Sequence, residues 1–600
     1  MKNFFKKVGK FLDVTRKVTV NIFTAIFVIY FIVIIAMLFS GDEEVVTAGK
    51  VVILNPDGIF VEEERVDYSF ESIFEETTSQ YAYRDFERLI DALVADEEVP
   101  AILLDFSSAG YSGPSTLLRV AEQVARLSDA GKEVIAYSDR YSTANLLVAS
   151  SADQILAHQA GAVNLNGLGG DAPYVNELLG KIGVTVHDYS QGQFKSANET
   201  ITRNDMSEND RMQRLELLEP IWEEMLARIG SNRGIEVAEL QNFSDTFFSF
   251  IPEAAFANIE QAIVMGLIDE VISYPDFRAR MLDAYGADEE SEIGSYNHIF
   301  FGEYMTTLEE EPSLATDEIV VIYAEGAIME GESASGVIGA DSEVLKIRRA
   351  HNNENTRAIV YRVNSPGGSI IASEMIRDEL FAAKNKGIPV VVSMSDYAAS
   401  GGVYISTPAD YIFAEPYTIT GSIGVAIAIP TVDQFFEKIG VNFDGVNTSA
   451  LSWDLNQPMT DEIDALFAEW GARSYDRFIA VVSSSREEDP EYIKSIAGGR
   501  VWLGNRALEL NLIDELGGID EAIAKAVEIA ELEDYRINYL EPELSFEEII
   551  IREILGVKLN GLATRFMPNN ILRAFAENQQ LLNALEPSAS YSCINCLVNF

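Results

Sequence analysis

Cysteine is nearly absent from this chain, with only Cys593 and Cys596 among 600 residues. Two neighbouring thiols near the end of the sequence cannot supply a disulfide framework for a fold of this size. They also fall short of the four ligands of a tetrahedral zinc site. We interpret the pair as a local disulfide of the tail or as a pair without function. The sequence contains no metal-ligand cluster and no cofactor motif, so we expect neither a metal nor a cofactor.

Positive charge is also scarce. The chain has 44 Lys and Arg residues against 95 Asp and Glu residues, for a net charge of −51. Such an acidic surface repels phosphate groups, which excludes nucleic acid as a partner. Hydrophobic residues make up 48% of the chain and charged residues 23%, which excludes a disordered chain and indicates large packed cores. The length is sufficient for two to four domains.

Long apolar runs are limited to one, residues 18–39. At about 1.5 Å per residue, its 22 residues reach roughly 33 Å, enough to cross a bilayer. Six basic residues precede the run and Asp42–Glu44 follow it, so the positive-inside rule places the rest of the chain outside the cytoplasm. The alternative is a cleaved signal peptide. The run is long for that, and Ser40–Asp42 makes a poor cleavage site, so we expect a single-pass anchor.

The chain repeats itself. Lys181–Val184 is identical to Lys438–Val441, and Leu267–Glu270 recurs as Leu512–Glu515 in the same order along the chain. An ordered series of such matches predicts two diverged copies of one domain. The predicted divisions are a cytoplasmic basic segment at 1–17, an anchor at 18–40, a first repeat at 48–285, an acidic linker at 286–316, a second repeat at 317–540 and a C-terminal tail at 541–600.

Within each copy, short apolar runs alternate with amphipathic stretches such as Glu374–Asn385. This alternation predicts an α/β fold of βαβ units around a mainly parallel sheet. The predicted strands are Lys50–Leu54, Ala101–Phe106 and Val134–Tyr137 in the first copy, and Ile319–Tyr323, Ala358–Val363 and Val390–Ser393 in the second.

Two glycine-rich turns follow predicted strands of the second copy, at Asn364–Ser369 and Tyr397–Gly402. Ligands of open α/β sheets gather beyond the carboxyl ends of the strands, where these turns are expected. A serine such as Ser400 between small residues can expose its hydroxyl, and paired glycines leave N–H groups free for an oxyanion hole. The alternatives are two tight turns or a phosphate cradle, although the spacing fits no Walker or dinucleotide pattern.

The two copies differ at these positions. Ser400 aligns with Thr143, and the glycines that follow it align with Ala144 and Asn145. Conversely, Lys195 in the first copy aligns with Ser452 in the second. Each copy therefore holds a candidate group that the other lacks, which predicts one site per chain built from both copies.

A nucleophilic serine needs a base. The chain has four histidines, and none follows Ser400 closely in sequence. His158 aligns with Glu415 and is interpreted as structural or exposed. A buried lysine can serve instead, because desolvation can lower its pKa from ~10.4 to ~7–8. For Lys195 taken alone, an ordinary surface lysine remains the alternative.

At these residues the chain resembles the long-form signal peptide peptidase A (protease IV) family. Ser400 lies in Ala-Ala-Ser-Gly-Gly, Lys195 lies in Gly-Gln-Phe-Lys-Ser-Ala-Asn-Glu, and Ser365–Gly368 and Gly421–Gly424 also match. The resemblance covers the whole chain, from the N-terminal anchor to the tail. Phe194 departs from the tyrosine that is commoner before the family's lysine.

The resemblance implies a serine endopeptidase of the S49 family with a Ser/Lys dyad. Ser400 is then the nucleophile, Lys195 the base, Gly368 and Gly401 the oxyanion donors, and Ser422 the group that orients the lysine. It further implies a tandem duplication of a crotonase/Clp-like domain, a homotetramer on the bacterial inner membrane with its catalytic domains in the periplasm, and cleaved signal peptides as substrates.

The histidine of the related Clp proteases has no counterpart, because position 425 is Val425. One rival function is a crotonase-type acyl-CoA enzyme, which shares the fold, but the export signal argues against it because CoA is cytoplasmic. Another is a membrane scaffold without activity. The intact Ser400, Lys195 and glycines argue against that reading.

Overall fold

The computed structural model describes residues 45–540, apart from 66–77, 247–256, 290, 292, 309–312, 447 and 450–451. The predicted basic segment, anchor and tail, including Cys593 and Cys596, lie outside the described residues. Across the part of the chain that is described, none of the helices is long and apolar enough to cross a membrane.

The first half of the chain is built around a parallel sheet. The strands of this half are β1 (Val51–Leu54), β2 (Gly58–Val61), β3 (Gln80–Ala82), β4 (Ala101–Leu104), β5 (Ala109–Tyr111), β6 (Glu133–Tyr141), β7 (Gln154–Val163), β8 (Thr185–Asp188), β9 (Glu270–Val271) and β10 (His298–Phe300). Its helices are α1 (Tyr83–Ala95), α2 (Pro114–Asp129), α3 (Thr143–Ala149), α4 (Asn176–Ile182), α5 (Glu199–Thr202), α6 (Glu208–Arg233), α7 (Val237–Asp245), α8 (Ala257–Met265), α9 (Tyr274–Tyr285) and α10 (Phe301–Met305). The sheet order is β10-β1-β4-β6-β7-β9.

The second half repeats this plan. Its strands are β11 (Glu318–Glu325), β12 (Ala327–Met329), β13 (Val337–Gly339), β14 (Thr356–Ser365), β15 (Val390–Ala399), β16 (Tyr411–Ala414), β17 (Ile419–Gly421), β18 (Ala428–Thr431), β19 (Val501–Leu503), β20 (Glu515–Leu516) and β21 (Arg536–Tyr539). Its helices are α11 (Ala340–Asn352), α12 (Ile370–Asn385), α13 (Gly401–Ser406), α14 (Asp433–Lys438), α15 (Asp461–Arg486), α16 (Pro490–Ile496), α17 (Gly504–Glu509) and α18 (Ile519–Ile529).

The strand order relates the two halves. In the second half, neighbouring strands run β21-β11-β14-β15-β16-β20, all parallel, in the same arrangement as β10-β1-β4-β6-β7-β9. The end of β15 also pairs with β17, which pairs antiparallel with β19. The mixed α/β fold predicted from the alternation of apolar runs and amphipathic stretches is confirmed, with one large, mainly parallel sheet in each half.

The second sheet is covered on both faces, which explains its continuous apolar strands. Along β11, Val320 and Ile322 face a core shared with α11 and α12, whereas Val321 and Tyr323 face α18. Successive side chains of a strand point to opposite faces, so both faces must be apolar. The helix α12 begins where the Ser369 hydroxyl accepts a hydrogen bond from the Ala372 N–H.

The acidic stretch 286–316, which the sequence predicts as a linker, contributes to the first sheet. Its strand β10 pairs in parallel with β1 and is followed directly by α10. A strand of three residues leaves no run long enough for a pattern of alternation, so composition alone did not show it.

The two halves contact each other directly. The strand β8 of the first half pairs antiparallel with β18 of the second. Glu62 directly follows β2 in the first half. Its carboxylate accepts two hydrogen bonds from the fully buried Arg362 of the second half, at 2.8 and 3.0 Å, and one from Arg119 at 2.8 Å. Burial alone would raise the pKa of Glu62, but the charges of Arg362 and Arg119 outweigh it and hold that pKa far below its usual range.

Candidate active site

Ser400 lies at the elbow between β15 and α13. Its backbone adopts φ 54°, a left-handed conformation that non-glycine residues rarely take, and its N–H donates to the carbonyl of Gly421 at 2.9 Å. Such strain persists only where the surroundings impose it, and it is concentrated at functional sites. The buried strand before it and the helix after it hold the hydroxyl at the carboxyl edge of the sheet.

The Lys195 side chain reaches Ser400 from the other half of the chain. Its Nζ lies 3.1 Å from Ser400 Oγ, 2.9 Å from Ser422 Oγ and 2.9 Å from the carbonyl oxygen of Ser422. The lysine residue as a whole is half-buried, but its amine is enclosed, and burial lowers the pKa of Lys195 to about 7.

The number of partners around the amine bears on its protonation state. An ammonium carries three hydrogens and can donate to all three oxygens, whereas a neutral amine has two hydrogens and one lone pair. In the ammonium form, Lys195 can donate to all three oxygens; in the neutral form, donation to the carbonyl and the hydroxyl of Ser422 leaves the lone pair for the hydrogen of the Ser400 hydroxyl. Ser422 therefore contributes two acceptors, of which the backbone carbonyl was not foreseen from the sequence.

The two glycine-rich turns meet beside Ser400. A Cβ built on Gly401 would lie 3.1 Å from the nitrogen of Gly368, and one built on Gly368, at φ 156°, would lie 2.0 Å from the carbonyl oxygen of Ile328. Neither the Gly368 nor the Gly401 N–H donates a hydrogen bond to another described residue. Glycine is thus sterically required at position 368, and two backbone donors remain available next to the Ser400 hydroxyl.

The corresponding elbow of the first half is arranged differently. There, Thr143 takes the place of Ser400, and its hydroxyl donates to the backbone carbonyl of Asn166 at 2.8 Å. The hydroxyl is therefore held by backbone rather than by an amine.

No histidine stands in for the lysine. Across the described residues, none of the four histidine rings makes a hydrogen bond to Ser400 or Lys195. The partners are Ala160 for His158, Thr431 for His187, Ser295 and Tyr296 for His298, and Glu379 and Lys386 for His351. Val425 is buried and its backbone pairs with Gln191 on the segment that leads to Lys195. In the same part of the chain, no group of three or more His, Cys, Asp or Glu residues could hold a metal ion.

The turn Gly498–Arg500, which was not among the residues predicted from the sequence, contacts the Lys195 segment directly. The nitrogen of Phe194 donates to the carbonyl of Gly498 at 2.8 Å, and a Cβ on Gly499 would lie 2.6 Å from the nitrogen of Lys195. The signal available was the adjacent pair Gly498 and Gly499, because paired glycines can mark a close approach of two backbones.

The class of protein to which the chain belongs follows from its sequence similarity to known proteins. It is 31% identical over 613 aligned residues to Protease 4 of Salmonella typhi, covering 99% of this chain and 98% of that relative. It is 29% identical to Protease 4 of Haemophilus influenzae, covering 98% of each. A shorter match of 32% identity joins 40% of this chain to 72% of an Enterococcus faecium protein provisionally named signal peptide peptidase SppA. The chain is a serine peptidase.

The family follows from the sequence profile that it matches. The profile of peptidase family S49 aligns with residues 126–287 and again with residues 382–533, once in each half of the chain. The chain belongs to peptidase family S49, as the resemblance implied.

Proposed function

We propose that the chain is a membrane-anchored endopeptidase in which Ser400 is the nucleophile and Lys195 the general base. The observation that carries this proposal is the 3.1 Å separation between Lys195 Nζ and Ser400 Oγ. A pKa of about 7 leaves much of the amine neutral near pH 7, which is what a general base requires.

In the first step, Ser400 Oγ attacks the carbonyl carbon of the scissile peptide bond while Lys195 Nζ takes the hydroxyl proton. The carbonyl electron pair moves onto oxygen, and the resulting oxyanion accepts hydrogen bonds from the N–H groups of Gly368 and Gly401. Fixed donors of this kind stabilise the charge that develops in the transition state. The residues on either side of Gly368 are fixed before substrate arrives, because the Ile328 N–H donates to the carbonyl of Gly367 and the Ser369 N–H donates to the carbonyl of Ile328.

In the second step, the Lys195 ammonium returns its proton to the leaving nitrogen as the C–N bond breaks. The acyl group remains as an ester on Ser400 Oγ. A water molecule then attacks the ester carbon while neutral Lys195 accepts its proton. The bond between that carbon and Ser400 Oγ breaks as Lys195 returns the proton to Oγ, which releases the carboxyl product and restores the free serine and the neutral amine. Ser422 keeps the amine aligned through both steps, because its two oxygens accept from Nζ.

The proposed substrates are signal peptides released from exported proteins, which are apolar. Apolar side chains next to the oxyanion turn support this choice: Ile371 and Met375 at the start of α12 and Met329 at the end of β12 are exposed. The shorter relative from Enterococcus faecium, named as a signal peptide peptidase, also supports it.

The proposed setting is the bacterial inner membrane. The apolar run at 18–39 and its charge asymmetry support a single-pass anchor with the two repeats in the periplasm. We further propose a homotetramer, as the family resemblance implies; an alkaline phosphatase fusion after Gly41 and the mass of the detergent-solubilised protein test these two points.

The activity itself is tested with the full chain in detergent micelles. A synthetic signal peptide should be cleaved by the wild type and by Ser484→Ala, a control at an exposed serine of α15, but not by Ser400→Ala. A polar peptide of equal length should be cleaved more slowly. Undiminished hydrolysis by Ser400→Ala, or hydrolysis of an acyl-CoA thioester in place of the peptide, would contradict the proposal.

A further inference from the structure

The segment that carries Lys195 is enclosed by glycines of the second half. A Cβ on Gly192 would lie 2.4 Å from the carbonyl of Gly498, one on Gly424 would lie 2.8 Å from the carbonyl oxygen of Gln191, and one on Gly499 would lie 2.6 Å from Lys195 itself. Contacts below 3.0 Å leave no room for a side chain, so three backbone segments touch directly at this point.

Hydrogen bonds join the same segments. The Gly499 N–H donates to the carbonyl of Ile423 at 2.9 Å, and the Ser422 N–H donates to the carbonyl of Arg500 at 2.7 Å. On the opposite side, the Phe194 N–H donates to the carbonyl of Gly498. The turn Gly498–Arg500 therefore lies between the lysine segment and the Ser422 segment and is bonded to both.

The side chain of Arg500 adds a second set of contacts. Its guanidinium lies over the ring of Phe194, 4.9 Å from the centroid, and over the ring of Trp502 at 4.2 Å. It also pairs with Glu216 on α6 of the first half. Cations are attracted to aromatic faces, and a planar guanidinium stacks on them better than an ammonium does. Phe194 immediately precedes Lys195, so this stacking bears on the lysine backbone.

We propose that Arg500 is a positioning residue that holds Lys195 against Ser400 and shields the Lys195 amine from water. The inference rests on the proposed function, because it concerns the same base. Arg500 does not contact the reacting atoms. It acts through Phe194, whose ring it covers, and through Ser422, whose N–H its carbonyl accepts.

Loss of the guanidinium should loosen the lysine segment without removing the backbone bonds. Water then reaches the amine, and the pKa of Lys195 rises towards that of a solvated lysine. Two ion pairs lie close to the lysine segment: Arg500 with Glu216, and Arg214 with Asp210 on α6. The pKa of Lys195 is lowered by burial rather than by any of these charges.

The experiment compares full-length wild type, Arg500→Ala and Arg500→Lys on one signal peptide, with Arg280→Ala as control. Arg280 also pairs with an exposed glutamate, Glu270, but on the surface of the first half. We expect kcat of Arg500→Ala to fall by about 10-fold to 100-fold, with KM within about 2-fold, because the lysine is displaced rather than the substrate. The half-point of the pH profile, which is the pH of half-maximal activity, should be higher for Arg500→Ala than for wild type. Arg500→Lys should recover part of kcat, and Arg280→Ala should match wild type.

An Arg500→Ala enzyme with wild-type kcat and pH profile overturns the inference. So does a loss of kcat that follows the unfolded fraction while the half-point stays fixed. If Arg500→Ala does not fold, Glu216→Gln is measured instead, because it removes the carboxylate that pairs with Arg500. An upward shift of the half-point of its pH profile supports the inference, and an unchanged half-point overturns it. The proposed function fails separately, when wild type and Ser400→Ala hydrolyse the peptide equally.

Discussion

The protonation of Lys195 should set the pH dependence of hydrolysis. A lysine with the ordinary pKa of 10.5 is about 0.03% neutral at pH 7, whereas one with a pKa of about 7 is roughly half neutral. Burial thus raises the fraction of active base by about three orders of magnitude at that pH. Because the neutral amine is the base, activity rises with pH through the lowered pKa and then stays level.

The assay measures initial rates on a signal peptide between about pH 5 and 10. The rate should increase about tenfold per pH unit well below the half-point, which should fall near the pKa of Lys195, about 7. Lys195→Arg should be inactive throughout, because a guanidinium does not deprotonate in proteins.

A histidine would titrate in the same range, so the profile needs a control. His187 is the histidine of β8, on the same half as Lys195, and His187→Gln should leave the half-point unchanged. Lys195 is not the base if the profile is flat across this range, if Lys195→Arg keeps substantial activity, or if the half-point moves with His187→Gln.

Three further outcomes follow from the contacts. Gly368→Ala puts a methyl group against the carbonyl of Ile328, so displacement of one oxyanion donor should reduce kcat by about 10²-fold to 10³-fold in steady-state assays; an unchanged kcat would contradict that donor role. Ser422→Ala removes one acceptor of the Lys195 amine but keeps the carbonyl, and kcat should fall about tenfold, whereas a fully active variant would leave Ser422 without an orienting role. Arg362→Met leaves Glu62 buried without its main partner, and denaturant unfolding should show a loss of roughly 3–5 kcal/mol; equal stability would refute this reading of the pair.

Structural features that depend on a local pattern of residues, such as the buried strands, could be predicted from the sequence. The apolar runs at Ala358–Val363 and Val390–Ser393 lie within β14 and β15, because strands buried on both faces are continuously apolar. The comparison of Ser400 with Thr143 and of Lys195 with Ser452 pointed to a site between the halves, and the structure places Lys195 and Ser400 within hydrogen-bond distance.

Features that depend on distant parts of the chain could not be predicted in this way. Glu62 and Arg362 are 300 positions apart, and nothing in their local sequence marks them as partners. The need for glycine at position 499 is visible only in the folded structure, where Lys195 packs against it. Both cases are consequences of tertiary packing between distant residues, which the local periodicity of the sequence does not reveal.

The central claim is that Lys195 activates Ser400, and covalent labelling tests it most directly. Full-length protein is treated at about pH 8 with a fluorophosphonate, which phosphonylates an activated serine, and the modified peptide is identified by mass spectrometry. Lys195→Met, which keeps the length of the side chain without an amine, is treated in parallel. We expect the adduct on Ser400 in the wild type and almost none in Lys195→Met. An adduct at another serine, or equal labelling of Ser400 in both proteins, would contradict the account.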